Sequence, residues 1–377
     1  MSALDETPRA NRVRIAFFGL RNAGKSTLVN AFTGQDLAIV SPTPGTTTDP
    51  VSKAMEILPL GPCLVTDTAG LDDEGELGAA RVRRTLDVLA TTDIAVWVDG
   101  GDGADASASG RAAFDEECRR LGVTVVGYRR GDSVDALRRR IAAIRLEDAT
   151  PGLLDGLVAA GDAVLCVCPI DESAPKGRLI LPQVQVLREC LDRGAVATVC
   201  QPAQVAACLA SARNGYRLVV TDSQAFRAVA GAIPADQPLT SFSILFARQK
   251  GDLAAYLDGL GRIDGLRDGD LVLVAEGCTH HRQCNDIGTV RIPRALERLT
   301  GRRLSFAFAS GGDFLDPAPG DGPRPALIVQ CGGCMLTRRE VLRRIGLAKA
   351  AGIPIVNYGL LLAKAAGIPV GRCARLD

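Results

Sequence analysis

At 377 residues, with 47% apolar and 23% charged residues, the chain has the composition of an ordinary globular protein long enough for two or three separate cores. Its formal charge of +1 provides no basic face for nucleic acid, and no run of about eighteen apolar residues marks a membrane span. Met1 to Arg14 is polar and lacks the apolar run of a signal peptide, so a cytoplasmic protein is expected, its twelve cysteines being thiols or metal ligands rather than a disulfide framework.

In chain order, Arg14 to Leu20 reads as a short strand that runs into Gly19-Leu-Arg-Asn22-Ala23-Gly24-Lys25-Ser26 and a helix from Thr27 to Thr33. This is a phosphate-binding loop in its required setting: backbone N–H groups and the helix N-terminus face the phosphates, Lys25 reaches the terminal ones, and Ser26 ligates magnesium. The polar loop Pro44 to Asp49 offers Thr47 as a second magnesium hydroxyl. The strand ending Leu64-Val-Thr-Asp67-Thr-Ala-Gly70 offers Asp67 to the metal and the Gly70 N–H to a γ-phosphate. Together these segments resemble GTPases of the Era and MnmE kind. Asn22 matches the asparagine that holds a monovalent cation in potassium-activated members, and Leu71 stands where Ras-like enzymes carry a water-positioning glutamine. The resemblance thus implies GTP hydrolysis dependent on magnesium and assisted by potassium, with Lys25, Thr47, Asp67 and Gly70 as the catalytic set.

One part of that pattern is missing. The guanine-reading Asn-Lys-x-Asp does not occur, since no Asn-Lys pair exists in the chain. After the strand Ile94 to Val98 and a helix Arg111 to Leu121, the strand Val123 to Gly127 enters Tyr128 to Asp135 and a last helix, Ala136 to Ile144, as if one strand–helix unit had been lost. Asp132 and Asp135 read there as turn or cap residues, with replacement of the guanine contact as the alternative.

A linker at 146–155 precedes a new alternation: strands at Ala163 to Ile170, Ala197 to Cys200 and Leu218 to Thr221, with helices Gln183 to Asp192, Ala203 to Arg213 and Ser223 to Gly231. Cys63, Cys166, Cys168 and Cys200 lie in apolar runs and read as small buried side chains. Lys176 and Arg178 are a solvated turn, or, less simply, an anion site. A strand Ser241 to Ala247 and a helix Leu253 to Leu260 open the last third. There the strand Leu271 to Ala275 delivers Cys278-Thr-His280-His281, and the strand Ala326 to Val329 delivers Cys331-Gly-Gly-Cys334. Three thiolates and an imidazole converging at strand ends suit zinc or an iron-sulfur cluster. Leu347 to Pro354 recurs as Leu362 to Pro369, two similar helix ends with glycine stops.

Taken with Pro175-Lys-Gly-Arg-Leu-Ile-Leu-Pro-Gln-Val-Gln185 and Ile355-Val-Asn-Tyr-Gly359, these motifs resemble the FeFe-hydrogenase maturation GTPase family, HydF, over nearly the whole chain. The resemblance implies α/β architecture throughout: a P-loop NTPase domain with a parallel sheet over 1–148, a dimerisation domain over 158–235 and a 4Fe-4S domain over 236–377. It implies cluster ligands Cys278, Cys331 and Cys334, with His280 at the histidine of the family's Cys-x-His, and Gln330 where the family carries a second histidine. It implies a homodimeric scaffold that carries the di-iron precursor from two radical-SAM maturases to apo-FeFe-hydrogenase, with no nucleic acid and no membrane. The competing reading is a zinc-stabilised regulatory P-loop NTPase; an RNA-associated GTPase of the Era kind is disfavoured by the neutral charge.

Overall fold

The computed structural model describes residues 9–34, 51–72, 75–100, 104–146, 150–170, 179–277, 286–310, 314 and 323–374. Thr47, Lys176, Arg178, Cys278, His280, His281 and Cys284 lie outside them. The chain separates into two compact units, Met1–Asp148 and Ala149–Asp377.

The first unit is built on a five-stranded sheet, ordered β2-β3-β1-β4-β5, from β1 (Val13–Phe18), β2 (Val51–Ile57), β3 (Gly61–Asp67), β4 (Ile94–Asp99) and β5 (Thr124–Arg129). It is parallel except for β2, which pairs antiparallel with β3. The helices are α1 (Lys25–Thr33), α2 (Gly75–Ala90), α3 (Ala104–Leu121) and α4 (Val134–Ala142). Alternate residues of β1 feed two cores, as a sheet covered on both faces requires. Phe17 meets Phe32 of α1 with ring centroids 5.4 Å apart, while Phe18 joins the Trp97–Phe114 pair, 4.8 Å apart. β5 enters a turn in which Asp132 accepts from the Arg129 N–H, and Ser133 caps α4. Asp135 pairs with Arg138 at 2.7 Å. Both aspartates are thus engaged locally.

The second unit holds two all-parallel four-stranded sheets. One is ordered β7-β6-β8-β9, from β6 (Ala163–Val167), β7 (Val196–Cys200), β8 (Leu218–Thr221) and β9 (Leu239–Ser241). The other is ordered β11-β10-β12-β13, from β10 (Leu271–Glu276), β11 (Ser305–Ser310), β12 (Leu327–Gln330) and β13 (Ile355–Asn357). Their helices are α5 (Leu181–Asp192), α6 (Val205–Ser211), α7 (Phe226–Ala232), α8 (Phe242–Lys250), α9 (Leu253–Arg262), α10 (Ile292–Thr300), α11 (Arg338–Ala350), α12 (Tyr358–Ala365) and α13 (Val370–Cys373).

One element differs from expectation. Residues from Phe242 form a helix, not the strand read over Ser241 to Ala247; Ser241 ends β9 and caps α8 by accepting from the Ile244 N–H. The helix is buried nearly all round, with Phe242, Ile244, Leu245, Phe246 and Ala247 each at most 2% exposed, so no polar face marks its 3.6-residue period. The repeated segments do end helices in glycine stops: Gly352 and Gly367 have φ of 62° and 76°. Cys63, Cys166, Cys168 and Cys200 are all buried, and burial pushes their thiols up, to about 11 for Cys63 and about 12 for Cys200. Among the described residues no helix is long and apolar enough to cross a membrane.

Candidate functional site

Two groups of predicted site residues fall at strand ends, one in each unit. In the first, β1 delivers the chain into the loop 19–24, which bends through Asn22 (φ 61°) and Gly24 (φ 88°) into α1. Asn22 is the one non-glycine residue with positive φ among the described residues, a conformation asparagine tolerates better than most. Ala23 packs inward and is buried, Thr27 is exposed, and Lys25 is buried with its ammonium donating to the carbonyls of Gly19 (3.2 Å) and Leu20 (2.7 Å).

The pairing of Phe17 with Asp67 brings the end of β3 beside this loop. Ser26 Oγ donates to Asp67 Oδ2 at 2.6 Å, while Oδ1 is buried and has no hydrogen-bond partner. Burial raises the Asp67 carboxyl above its ordinary range, and the Ser26 hydroxyl and Lys25 charge pull it back. A buried carboxylate oxygen left over beside a serine hydroxyl is a hard-oxygen set of the kind magnesium takes. Gly70 is required by packing: a Cβ there would lie 2.9 Å from the Arg21 nitrogen, so the chain after β3 passes directly over the phosphate loop. The Arg21 N–H also donates to Asp72 Oδ1 at 2.5 Å. Gly19, Asn22, Ala23, Gly24, Lys25, Ser26, Asp67 and Gly70 therefore share one neighbourhood. Gly100 was not anticipated, yet its missing Cβ would lie 3.1 Å from Ala23 Cα, so β4 also ends against the loop.

In the second unit, β12 ends at Gln330 and the turn Cys331-Gly332-Gly333-Cys334 follows, with Gly333 at φ 68°. Cys331 Sγ accepts from the Gly277 N–H at 3.1 Å, so the segment after β10 reaches across to the turn. Burial pushes both thiols up, Cys334 to about 11. Three features work against burial: backbone N–H groups of Gly333 and Gly277 facing Cys331, the Arg344 charge near Cys331 and the Lys250 charge near Cys334. Donors aimed at sulfur, plus buried cations, favour thiolates, the form that ligates metal. The turn therefore fits a soft metal or cluster through Cys331 and Cys334; among the described residues no group of three ligands assembles, Cys278 and His280 lying outside them.

Gln330 is fully buried, and both polar atoms of its side chain lack partners. Its cross-strand neighbour Asn357 has an unpartnered Nδ2, while its Oδ1 accepts from the Gly359 N–H and from Ser243 Oγ. Lys250 and Arg344 carried no signal in the sequence, because neither sits in a chemical motif.

Three family models match consecutive segments. The model described as 50S ribosome-binding GTPase matches residues 14–124, the hydrogen maturase F dimerization domain matches 153–251, and the hydrogen maturase F tetramerization domain matches 254–374. Relatives include the tRNA modification GTPases MnmE of Methylobacterium sp. strain 4-46, 40% identical over 119 residues, and of Phenylobacterium zucineum strain HLK1, 44% identical over 105. These alignments cover 29% and 26% of this chain, which spans only 26% and 23% of those relatives. The crystal structure of Era from Aquifex aeolicus, a point variant bound to GDP and AlF4-, is 15% identical. Its alignment covers 79% of this chain and 93% of that one, with a TM-score of 0.27. The two maturase models alone span more than half of the chain, in order and downstream of a GTPase domain, and the chain belongs to the hydrogen maturase F family.

Proposed function

We propose that this chain is a GTP-binding scaffold of FeFe-hydrogenase maturation, carrying a 4Fe-4S cluster on Cys278, Cys331 and Cys334. On this reading it receives a di-iron precursor from radical-SAM maturases and passes it to apo-FeFe-hydrogenase. The observation that supports this most directly is the turn 331–334, where two cysteines share one strand end, backbone N–H groups face sulfur and two cations are buried nearby. Three thiolates hold a cubane and leave one iron with an exchangeable position, which is what a carrier needs. His280 is a candidate neighbour of that position. Gln330 brings an amide where the family has an imidazole, so the fourth ligand comes from elsewhere.

In the first unit, Ser26 and Asp67 would hold magnesium with Thr47, and Lys25 the terminal phosphates. Asn22 would hold potassium through its side chain. Binding then biases the segments at Thr47 and Gly70, and through them partner release. The chain is thus a switch and carrier first, its hydrolysis serving timing. Oligomerisation accompanies this role, the matched models being those of dimerisation and tetramerisation.

Anaerobic reconstitution tests the proposal. Roughly four irons per chain are expected, as one cubane requires, and Cys331→Ser should abolish incorporation. A full cluster in Cys331→Ser would overturn the ligand assignment, and stoichiometric zinc without iron would establish the regulatory NTPase instead.

A further inference from the structure

Lys250 closes α8 in the segment matched by the dimerization model, yet its side chain works in the thiol turn of the next segment. It is 5% exposed. Its Nζ donates to the carbonyls of Gly333 (3.2 Å), Cys334 (3.2 Å) and Leu336 (2.7 Å), and it lies 4.9 Å from the centroid of the Phe246 ring. Three acceptors call for three N–H bonds, which only the ammonium form has. Among the described residues no carboxylate pairs with it. A buried cation facing only carbonyls and a ring is costly unless an anion completes it. The anion-forming groups beside it are the thiols of Cys331 and Cys334, whose charges favour its own. Cys334 itself packs against the core that α8 shares with α5.

We infer that Lys250 is a positioning residue for the thiol turn: its ammonium pins the carbonyls of residues 333, 334 and 336 and supplies the counter-charge that lets Cys331 and Cys334 act as thiolates. A residue of the dimerisation segment thereby sets the chemistry of the neighbouring ligand turn. For a bound cluster this rests on the scaffold reading above; for the free thiols it does not.

The experiment uses the full-length chain with Lys250→Met, nearly isosteric and uncharged, and Lys250→Arg, which keeps the charge. In the metal-free chain at neutral pH, alkylation of Cys331 and Cys334 is followed by peptide mapping. Loss of the counter-charge should slow both about tenfold, the effect of a one-unit rise in thiol pKa, with substantial recovery in Lys250→Arg. A merely structural clamp gives the opposite sign, because a loosened turn exposes its thiols and speeds alkylation. Wild-type or faster alkylation in a folded Lys250→Met chain overturns the inference; if that variant does not fold, Lys250→Gln makes the same comparison with a donor retained. In the reconstituted chain, Lys250→Met should shift the reduction equilibrium about tenfold against the reduced cluster, about 59 mV for a one-electron couple. A wild-type chain that takes up no iron would end the cluster reading, while the alkylation arm would still decide the role of Lys250.

Discussion

The open edge of the first sheet in the second unit predicts how two copies meet. β7 pairs only with β6, and its Val196 and Val199 are 59% and 46% exposed; on α5, next in the fold, Val184 and Leu191 are 47% and 71% exposed. An unprotected edge strand beside an apolar stripe is a pairing surface, and a two-fold axis would set β7 antiparallel to its copy. Full burial of a Val or Leu side chain stabilises by about 1.5–3 kcal/mol, so half-exposed ones each have roughly 1 kcal/mol still to gain. Four such side chains on each of two copies contribute roughly 8 kcal/mol, to which new backbone hydrogen bonds add about 0.5–1.5 kcal/mol each, against an association cost of about 4–15 kcal/mol. Because symmetry counts every substitution twice, Val199→Asp removes about 2 kcal/mol of burial and brings two carboxylates together at the axis. The dimer dissociation constant should rise roughly 100-fold, about 2.8 kcal/mol. Sedimentation equilibrium over a concentration series, with circular dichroism to verify the fold, measures this. A dissociation constant within about threefold of wild type would show that the copies meet elsewhere.

Three further outcomes follow from the sites. Burial raises the Asp67 carboxyl, and a raised folded-state pKa means the associated stability is present at low pH and lost as pH climbs through that value. Permanently neutral Asp67→Asn should therefore melt higher than wild type at neutral pH without nucleotide, yet lose about tenfold or more of its magnesium-dependent nucleotide affinity by titration calorimetry. Asn22→Gly keeps the positive φ and removes the side chain, so hydrolysis should lose its preference for potassium over sodium; equal rates in the two salts for wild type would refute the role assigned to Asn22. Gln330→Leu removes two buried unpartnered polar atoms, relief of roughly 1–3 kcal/mol, and should raise the metal-free melting temperature by about 2–10 °C. An unchanged or lower value in differential scanning calorimetry would mean the amide has partners in solution.

The phosphate loop was legible because its chemistry is local. One strand, six loop residues and a helix N-terminus are continuous in sequence, and Asp67 reaches them through the parallel register of β1 and β3. The turn 331–334 was equally local. Helix α8 was misread because burial on all sides erased its period, leaving Ser241 as the sole start signal. Lys250 was invisible for a different reason: its acceptors lie 83 to 86 residues further along, and a lysine at a helix end ordinarily needs no explanation beyond solvent and the helix dipole.

Both candidate sites nevertheless obey one rule, each within its own unit. Parallel strands end together, and the loops leaving their carboxyl ends are where backbone N–H groups and short side chains converge. β1, β3 and β4 end at the phosphate loop, Asp67 and Gly100; β10, β12 and β13 end at Gly277, Cys331 and Asn357. What differs is the charge each edge is built to receive. Asp67 presents a buried oxygen without a partner, which draws a cation. The thiol turn presents N–H groups, Arg344 and Lys250, which draw electron density onto sulfur. A magnesium nucleotide and a thiolate-bound cluster are thus met by opposite electrostatics on the same scaffold geometry. For that reason Lys250→Met should alter the thiols without touching magnesium, and Asp67→Asn should do the converse.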